Sequence, residues 1–183
     1  MPARLPVLFF ATLITAFLAT LSAATQQPNI IYILLDDAGY GDLSCYGQKK
    51  FQTPNIDRLA CEGMRFEHGH VTVAVCQPSR QTLMTGRYPH RFGALGFSPI
   101  DTSITTLAEV LSEASYINGI LGKVTHLQPA EKYKWSYHQD RRQMGLGRDP
   151  DLYYEKTKYF IEEAARKNKP FFLMANSHDP HRP

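Results

Sequence analysis

Four short runs in this chain hold side chains that could do chemistry together. Cys76-Gln77-Pro78-Ser79-Arg80 sets a thiol in a proline-bearing turn, just before a helix expected to start near Ser79. A thiol at a helix N-terminus is favoured as thiolate. Cys76 is therefore a candidate nucleophile, with an inert buried cysteine as the alternative. Asp36-Asp37 closes an apolar run. Adjacent carboxylates repel. A hard cation such as Ca2+ or Mg2+, bound through oxygen, relieves them, and so does a solvated turn that caps a helix. Lys123 and His126 follow a second apolar run, and His178 and His181 follow a third. A loop lysine and histidine are ordinarily solvated, but together they offer a fixed positive charge and a proton carrier near neutral pH. His178 and His181 also suggest zinc. No third and fourth ligand at fitting spacing accompanies them, which disfavours that metal.

The elements that must position these groups follow from the apolar pattern. Residues 29–35 (Asn-Ile-Ile-Tyr-Ile-Leu-Leu) read as a buried parallel strand. Thr53-Pro54-Asn55 opens a short helix through Ile56, Leu59 and Ala60, ended by Gly63. Residues 64–75 read as extended, and residues 79–85 as a helix stopped at Gly86. Residues 105–115 form an amphipathic helix with Leu107, Val110 and Leu111 on one face. Residues 116–121 are a second strand, and residues 127–150 an irregular surface excursion. Residues 152–167 are a long helix with Tyr153, Phe160, Ile161 and Ala164 inward, and residues 171–175 a third buried strand. The expected fold class is α/β, a mostly parallel sheet flanked by helices. Each strand ends in a polar run, and open α/β sheets bind ligands at the carboxyl ends of their strands.

Cys76-Gln77-Pro78-Ser79-Arg80 runs without a gap into Leu83-Met84-Thr85-Gly86-Arg87, and Gly39-Tyr40-Gly41-Asp42 follows the aspartate pair. This pattern resembles the signature of the type I sulfatases, in the alkaline-phosphatase-like superfamily. The resemblance implies that a sulfatase-maturing enzyme oxidises Cys76 to Cα-formylglycine. It implies that Asp36, Asp37 and the modified Cys76 bind Ca2+, with Mg2+ as the alternative. Arg80 then holds the surroundings of the formylglycine and metal together, and Lys123 binds sulfate and formylglycine. His126 contacts the formylglycine hydroxyls. His181 reaches the sulfate, with His178 beside it. Arg87 receives no chemistry; its charge complements the carbonyl end of the helix. The substrate class implied is a sulfated saccharide. The Lys-x-x-His spacing at 123–126 looks like iduronate-sulfatase-like members, and Ser177-His178-Asp179-Pro180-His181-Arg182-Pro183 looks like heparan N-sulfatases.

The resemblance makes residues 25–183 the N-terminal part of a catalytic domain. The family's later Asp-Asn or Asp-His pair, a further basic residue and a C-terminal subdomain have no counterpart here. A chain of this length is expected to be catalytically incomplete, with an unpaired apolar edge at its third strand. Two other readings stand beside the hydrolase. One is a non-catalytic binder of sulfated glycans through Arg80, Lys123, His126 and His181. The other is a formylglycine-dependent phosphodiesterase or phosphonate hydrolase.

Composition sets the remaining bounds. The chain has 183 residues, 43% hydrophobic and 20% charged, which suits one globular domain. A formal charge of +3 calls for neither nucleic acid nor an anionic membrane as partner. Residues 1–24 read as a signal peptide, with Arg4, an apolar stretch over 5–21 and cleavage after Ala24. That stretch is shorter than a span of about 20 residues. Export to a periplasmic, secreted or lysosomal-type compartment is expected, without stable membrane association. An exported compartment permits a Cys45–Cys61 disulfide; two small buried hydrophobes is the preferred reading.

Overall fold

The computed structural model describes residues 27–182. The leader expected over residues 1–24 lies outside the described residues. Four parallel strands form one sheet in the order β1-β4-β2-β3: β1 is Ile30–Asp36, β2 Ile117–Leu121, β3 Tyr137–Gln139 and β4 Phe171–Pro180. Among the described residues four α-helices accompany them: α1 is Pro54–Glu62, α2 Cys76–Thr85, α3 Leu107–Glu113 and α4 Pro150–Arg166. The expected α/β class with a parallel sheet is what folds.

Alternation along β4 divides the core. Phe172 and Met174 face a cluster with Met84 of α2, Leu111 of α3 and Tyr133. Phe171 and Leu173 face Phe160 and Ala164 of α4. Helix starts are chemically marked. Thr106 caps α3 in a capping box with Glu109. Asp149 caps α4, its carboxylate accepting the N–H groups of Asp151 and Leu152.

Several expectations are corrected. β1 is an edge strand with alternating burial: Ile31 is 49% and Ile33 63% exposed. The open edge therefore lies at β1. The strand expected third in the chain, β4, is central, between β1 and β2. The excursion over 127–150 is not a surface loop alone. It contributes β3 and buries Leu127, Tyr133 and Met144 completely. Residues 64–75 pair with no strand and are nearly all exposed. On α3, Ala108 and Leu111 are buried, whereas Leu107 and Val110 are exposed. α1 buries no residue, and Leu59 is exposed. Helix α2 begins at Cys76, three residues before the expected start. Pro78 is then in the first turn, where the missing N–H has no helical partner to lose. The cysteines are free, and Cys61 is exposed rather than buried.

Candidate active site

Three parallel strands end at one rim, and the side chains beyond them meet. A shift in register between Leu35 and Asp36 separates the two carboxylates of the aspartate pair. Asp36 turns inward and is 3% exposed. Asp37 follows with φ 63° and a solvent-facing side chain. Two cations reach Asp36. Arg80 of α2 places Nη2 at 3.1 Å from Oδ1, and Lys123 Nζ contacts Oδ2. Both side chains are buried. Burial pushes the Asp36 carboxyl up, but Lys123 and Arg80 outweigh it and hold the group below its ordinary value.

The backbone after β2 is bent to bring Lys123 there. Gly122 (φ 67°) and Lys123 (φ 52°) are consecutive left-handed residues. Only glycine enters that region freely, and at Gly122 space is equally restrictive. A Cβ there would lie 2.6 Å from Tyr153 Oη and closer still to the Asn176 carbonyl oxygen.

Asn176 on β4 is fully buried and connects the parts. Its Oδ1 accepts from Arg80 Nε at 3.2 Å. Its Nδ2 donates to the carbonyls of Leu121 at 3.1 Å and Gly122 at 3.2 Å. Arg80 also donates from Nη1 to the Cys76 carbonyl at 3.1 Å. One buried amide thus couples the first turn of α2 to the Gly122-Lys123 turn.

Cys76 is half-buried and borders two clefts. One, of about 510 Å³, is lined by Lys123, His126, His178, His181, Arg141, Arg142 and Arg182, among others. The other, of about 380 Å³, runs past Asp36, Asp37, Ser79 and Arg80. His126 closes a 3-10 turn, Val124–His126. Burial first, then Lys123 and Arg80, lower its pKa to about 4. His178 is on β4 itself, 6% exposed, not after the strand as expected. Burial, Lys123, Arg141 and Arg148 lower it to about 4 as well. Its ring centroid is 4.9 Å from that of His181. His181 Nδ1 donates to the Arg182 carbonyl at 2.6 Å, and its Nε2 is 3.7 Å from Asp37 Oδ2.

Cys76, Arg80, Lys123, His126, His178 and His181 therefore converge, as do Asp36 and Asp37. Asp36, Asp37 and Cys76 line one and the same cleft. Among the described residues, no three His, Cys, Asp or Glu side chains group as metal ligands. Both oxygens of Asp36 are taken by Arg80 and Lys123, and Ca2+ takes six to eight oxygens. Asp36, Asp37 and Cys76 by themselves fall short of that number of donors. Arg80 and Lys123 are both buried and share the single carboxylate of Asp36, which leaves one positive charge between them. Sequence reasoning passed over Asn176, whose signal is a polar residue inside an apolar strand. It also passed over Arg141 and Arg142, whose signal is a basic pair inside an otherwise irregular stretch.

The chain has counterparts among known proteins. A family model described as Sulfatase matches residues 28–183. An N-acetylgalactosamine-6-O-sulfatase of Bacteroides thetaiotaomicron is 50% identical over 105 residues, covering 54% of this chain and 20% of that protein. Arylsulfatase A of Homo sapiens is 43% identical over 121 residues, covering 61% and 23%. An N-acetylglucosamine-6-O-sulfatase of B. thetaiotaomicron is 33% identical over 177 residues, covering 86% and 31%. The chain thus spans about a fifth to a third of the length of these relatives. A solved structure in complex with its substrate, D-glucosamine-2-N,6-O-disulfate, superposes with TM-score 0.75 at 30% identity, covering 86% of this chain and 35% of its own. These relatives are named as O-sulfatases and arylsulfatases, so they do not single out the heparan N-sulfatases. With the family match running from just before β1 to Pro183, the chain belongs to the sulfatase family.

Proposed function

We propose that this chain carries the nucleophile and the sulfate-facing residues of a hydrolase acting on sulfate esters or sulfamates of saccharides. Cys76, converted to formylglycine, is the nucleophile. The observation that carries this reading is the position of Cys76 as the first residue of α2, on a cleft lined by Lys123, His126, His178 and His181. The saccharide class is supported by the glucosamine disulfate bound to one relative and the k-i-k-neocarrahexaose bound to another, which has TM-score 0.72 and 28% identity.

Hydrated formylglycine would supply a geminal diol: one hydroxyl would attack sulfur, losing its proton as the S–O or S–N bond to the saccharide breaks and the alcohol or amine leaves protonated. Loss of the other hydroxyl's proton would then re-form the carbonyl, break the carbon–oxygen bond to the sulfate and free it. The residues around it have separable tasks. Lys123 and His181 offset charge on the sulfuryl oxygens. His126 is neutral above about pH 4 and is available to accept a proton. Arg80 holds the first turn of α2 by its bond to the Cys76 carbonyl. The family resemblance brings Ca2+, or Mg2+, to this site. Asp36, Asp37 and Cys76 supply too few oxygens for it, so no step is assigned to the ion. Export through the leader at residues 1–24 and contact with a sulfatase-maturing enzyme belong to the same proposal.

Mass spectrometry of the tryptic peptide ending at Arg80 tests the modification, which lowers its mass by about 18 Da. Sulfate release from sulfated monosaccharides by the intact protein tests the reaction. Cys76→Ser should end turnover. Undiminished turnover by that variant, or by protein whose Cys76 is wholly unmodified, would refute the assignment. A preference for phosphate diesters over sulfate esters would favour the phosphodiesterase reading.

A further inference from the structure

The larger cleft at Cys76 has one wall that the sulfate chemistry does not use. It comes from the segment between β3 and α4, which contributes Asp140, Arg141 and Arg142, and from Arg182 after β4. All three arginines are exposed, and among the described residues none forms an ion pair with a carboxylate. Among the described residues, Asp140 is the one carboxylate lining this cleft. Its Oδ1 is already occupied, accepting the backbone N–H of Arg142 at 2.8 Å and of Gln143 at 3.3 Å. The wall therefore carries an uncompensated excess of positive charge, and a cleft concentrates the field of such charges.

The wall is held in place. Gly145, Leu146 and Gly147 are three successive left-handed residues that fold this segment back onto β4. A Cβ at Gly147 would lie 2.9 Å from His178 Cβ and 3.8 Å from Arg141 Cγ, so the turn lies directly against the histidine. Arg141 Nε donates to the Leu146 carbonyl at 3.3 Å. Arg148 donates to the His181 carbonyl at 2.8 Å and pairs with Asp179. The segment that carries the arginines is thus fastened to the segment that carries His178 and His181.

We propose that Arg141, Arg142 and Arg182 form a second anion subsite, which takes another sulfate or a carboxylate of the saccharide whose scissile sulfate lies at Cys76. Guanidinium groups match the oxygens of sulfate and carboxylate in paired hydrogen bonds. A cleft of about 510 Å³ is large enough for a sugar bearing two such groups. This inference rests on the sulfatase reading, and the test separates the two.

Binding of 6-O-sulfated glucosamine and of N,6-O-disulfated glucosamine to the intact protein is measured by titration calorimetry. The Arg141→Ala/Arg142→Ala variant is compared with the parent, and equal unfolding midpoints check its fold. The parent should bind the disulfated sugar more tightly. The double variant should lose about tenfold affinity for it, or more, and keep its affinity for the monosulfated sugar within about twofold. Arg141→Lys/Arg142→Lys, which keeps the charge but not the fork, should recover part of the loss. Equal losses for both sugars, no loss for either, or no binding at all would overturn the proposal. Sulfate release without a disulfate preference would remove the subsite alone. An arginine-dependent preference without sulfate release would remove the sulfatase reading alone.

Discussion

Arg80 Nε donates to Asn176 Oδ1 at 3.2 Å, joining two residues that are 96 positions apart. The same amide holds the carbonyls of Leu121 and Gly122. Asn176→Ala should therefore loosen α2 and the Lys123 turn together. Removing one partner of buried hydrogen bonds costs about 1–3 kcal/mol, more beside a charge. Urea unfolding should show a loss in that range. A change below about 0.5 kcal/mol, the usual size of a neutral substitution, would mean that the amide couples nothing.

Asp36 is the anion between two buried cations. Asp36→Asn leaves Arg80 and Lys123 facing one another without it. Breaking a buried pair by removing one partner costs about 3–5 kcal/mol. The double variant Asp36→Asn/Lys123→Met should recover part of this, because one of the stranded charges is gone. Strictly additive losses in thermal melts of the single and double variants would show that Lys123 and Asp36 do not interact.

Gly122 combines a left-handed backbone with contact against the Asn176 carbonyl and Tyr153 Oη. Gly122→Ala meets both obstacles and should destabilise by about 2 kcal/mol or more. Gly47 has φ 96° but no atom within 4 Å of an added Cβ, so Gly47→Ala meets only the first. The difference between the two unfolding midpoints isolates the close approach.

His126 and His178 are both lowered to about 4 from the ordinary 6.5. The unfolded chain takes up their protons below about pH 6.5, while the folded chain resists until about 4. Their stabilising effect is complete above pH 6.5 and is lost as pH falls from 6.5 towards 4. Each group contributes at most about 1.4 kcal/mol per pH unit in that window. Asp36 adds its own loss at still lower pH, because its folded value is below the ordinary 3.8. Urea midpoints should fall between pH 6.5 and 4, and His126→Gln should flatten the slope. A flat parent profile there would contradict the burial of both rings.

Lys123, His126 and His181 were legible because they cluster just past apolar strands, and parallel strands point their ends the same way. Cys76 and Arg80 follow no strand and were singled out by their motif and its resemblance to the sulfatase signature. Strand order was not legible. An apolar run such as residues 30–35 reads as buried on both faces, yet edge or centre is decided by partners more than a hundred residues away. β3 is three residues long and leaves no periodicity to detect. The burial of Arg80 was hidden for the same reason, since Asp36 and Asn176 reach it from separate strands. The parting of the aspartate pair was not legible either. The register shift after Leu35 sends Asp36 inward and Asp37 outward.

Helix α2 buries Gln77, Pro78 and Arg80 while Cys76 stays half-open. That arrangement sets an order of events. A thiol at the lip of a cleft remains within reach of small reagents after the domain has folded. If the proposed function holds and the maturing enzyme reads Pro78 and Arg80 along with the cysteine, it would find both buried in the folded domain, Arg80 against Asp36 of β1 and Asn176 of β4. On that reading, recognition of the whole pentapeptide would fall in the interval before α2 docks.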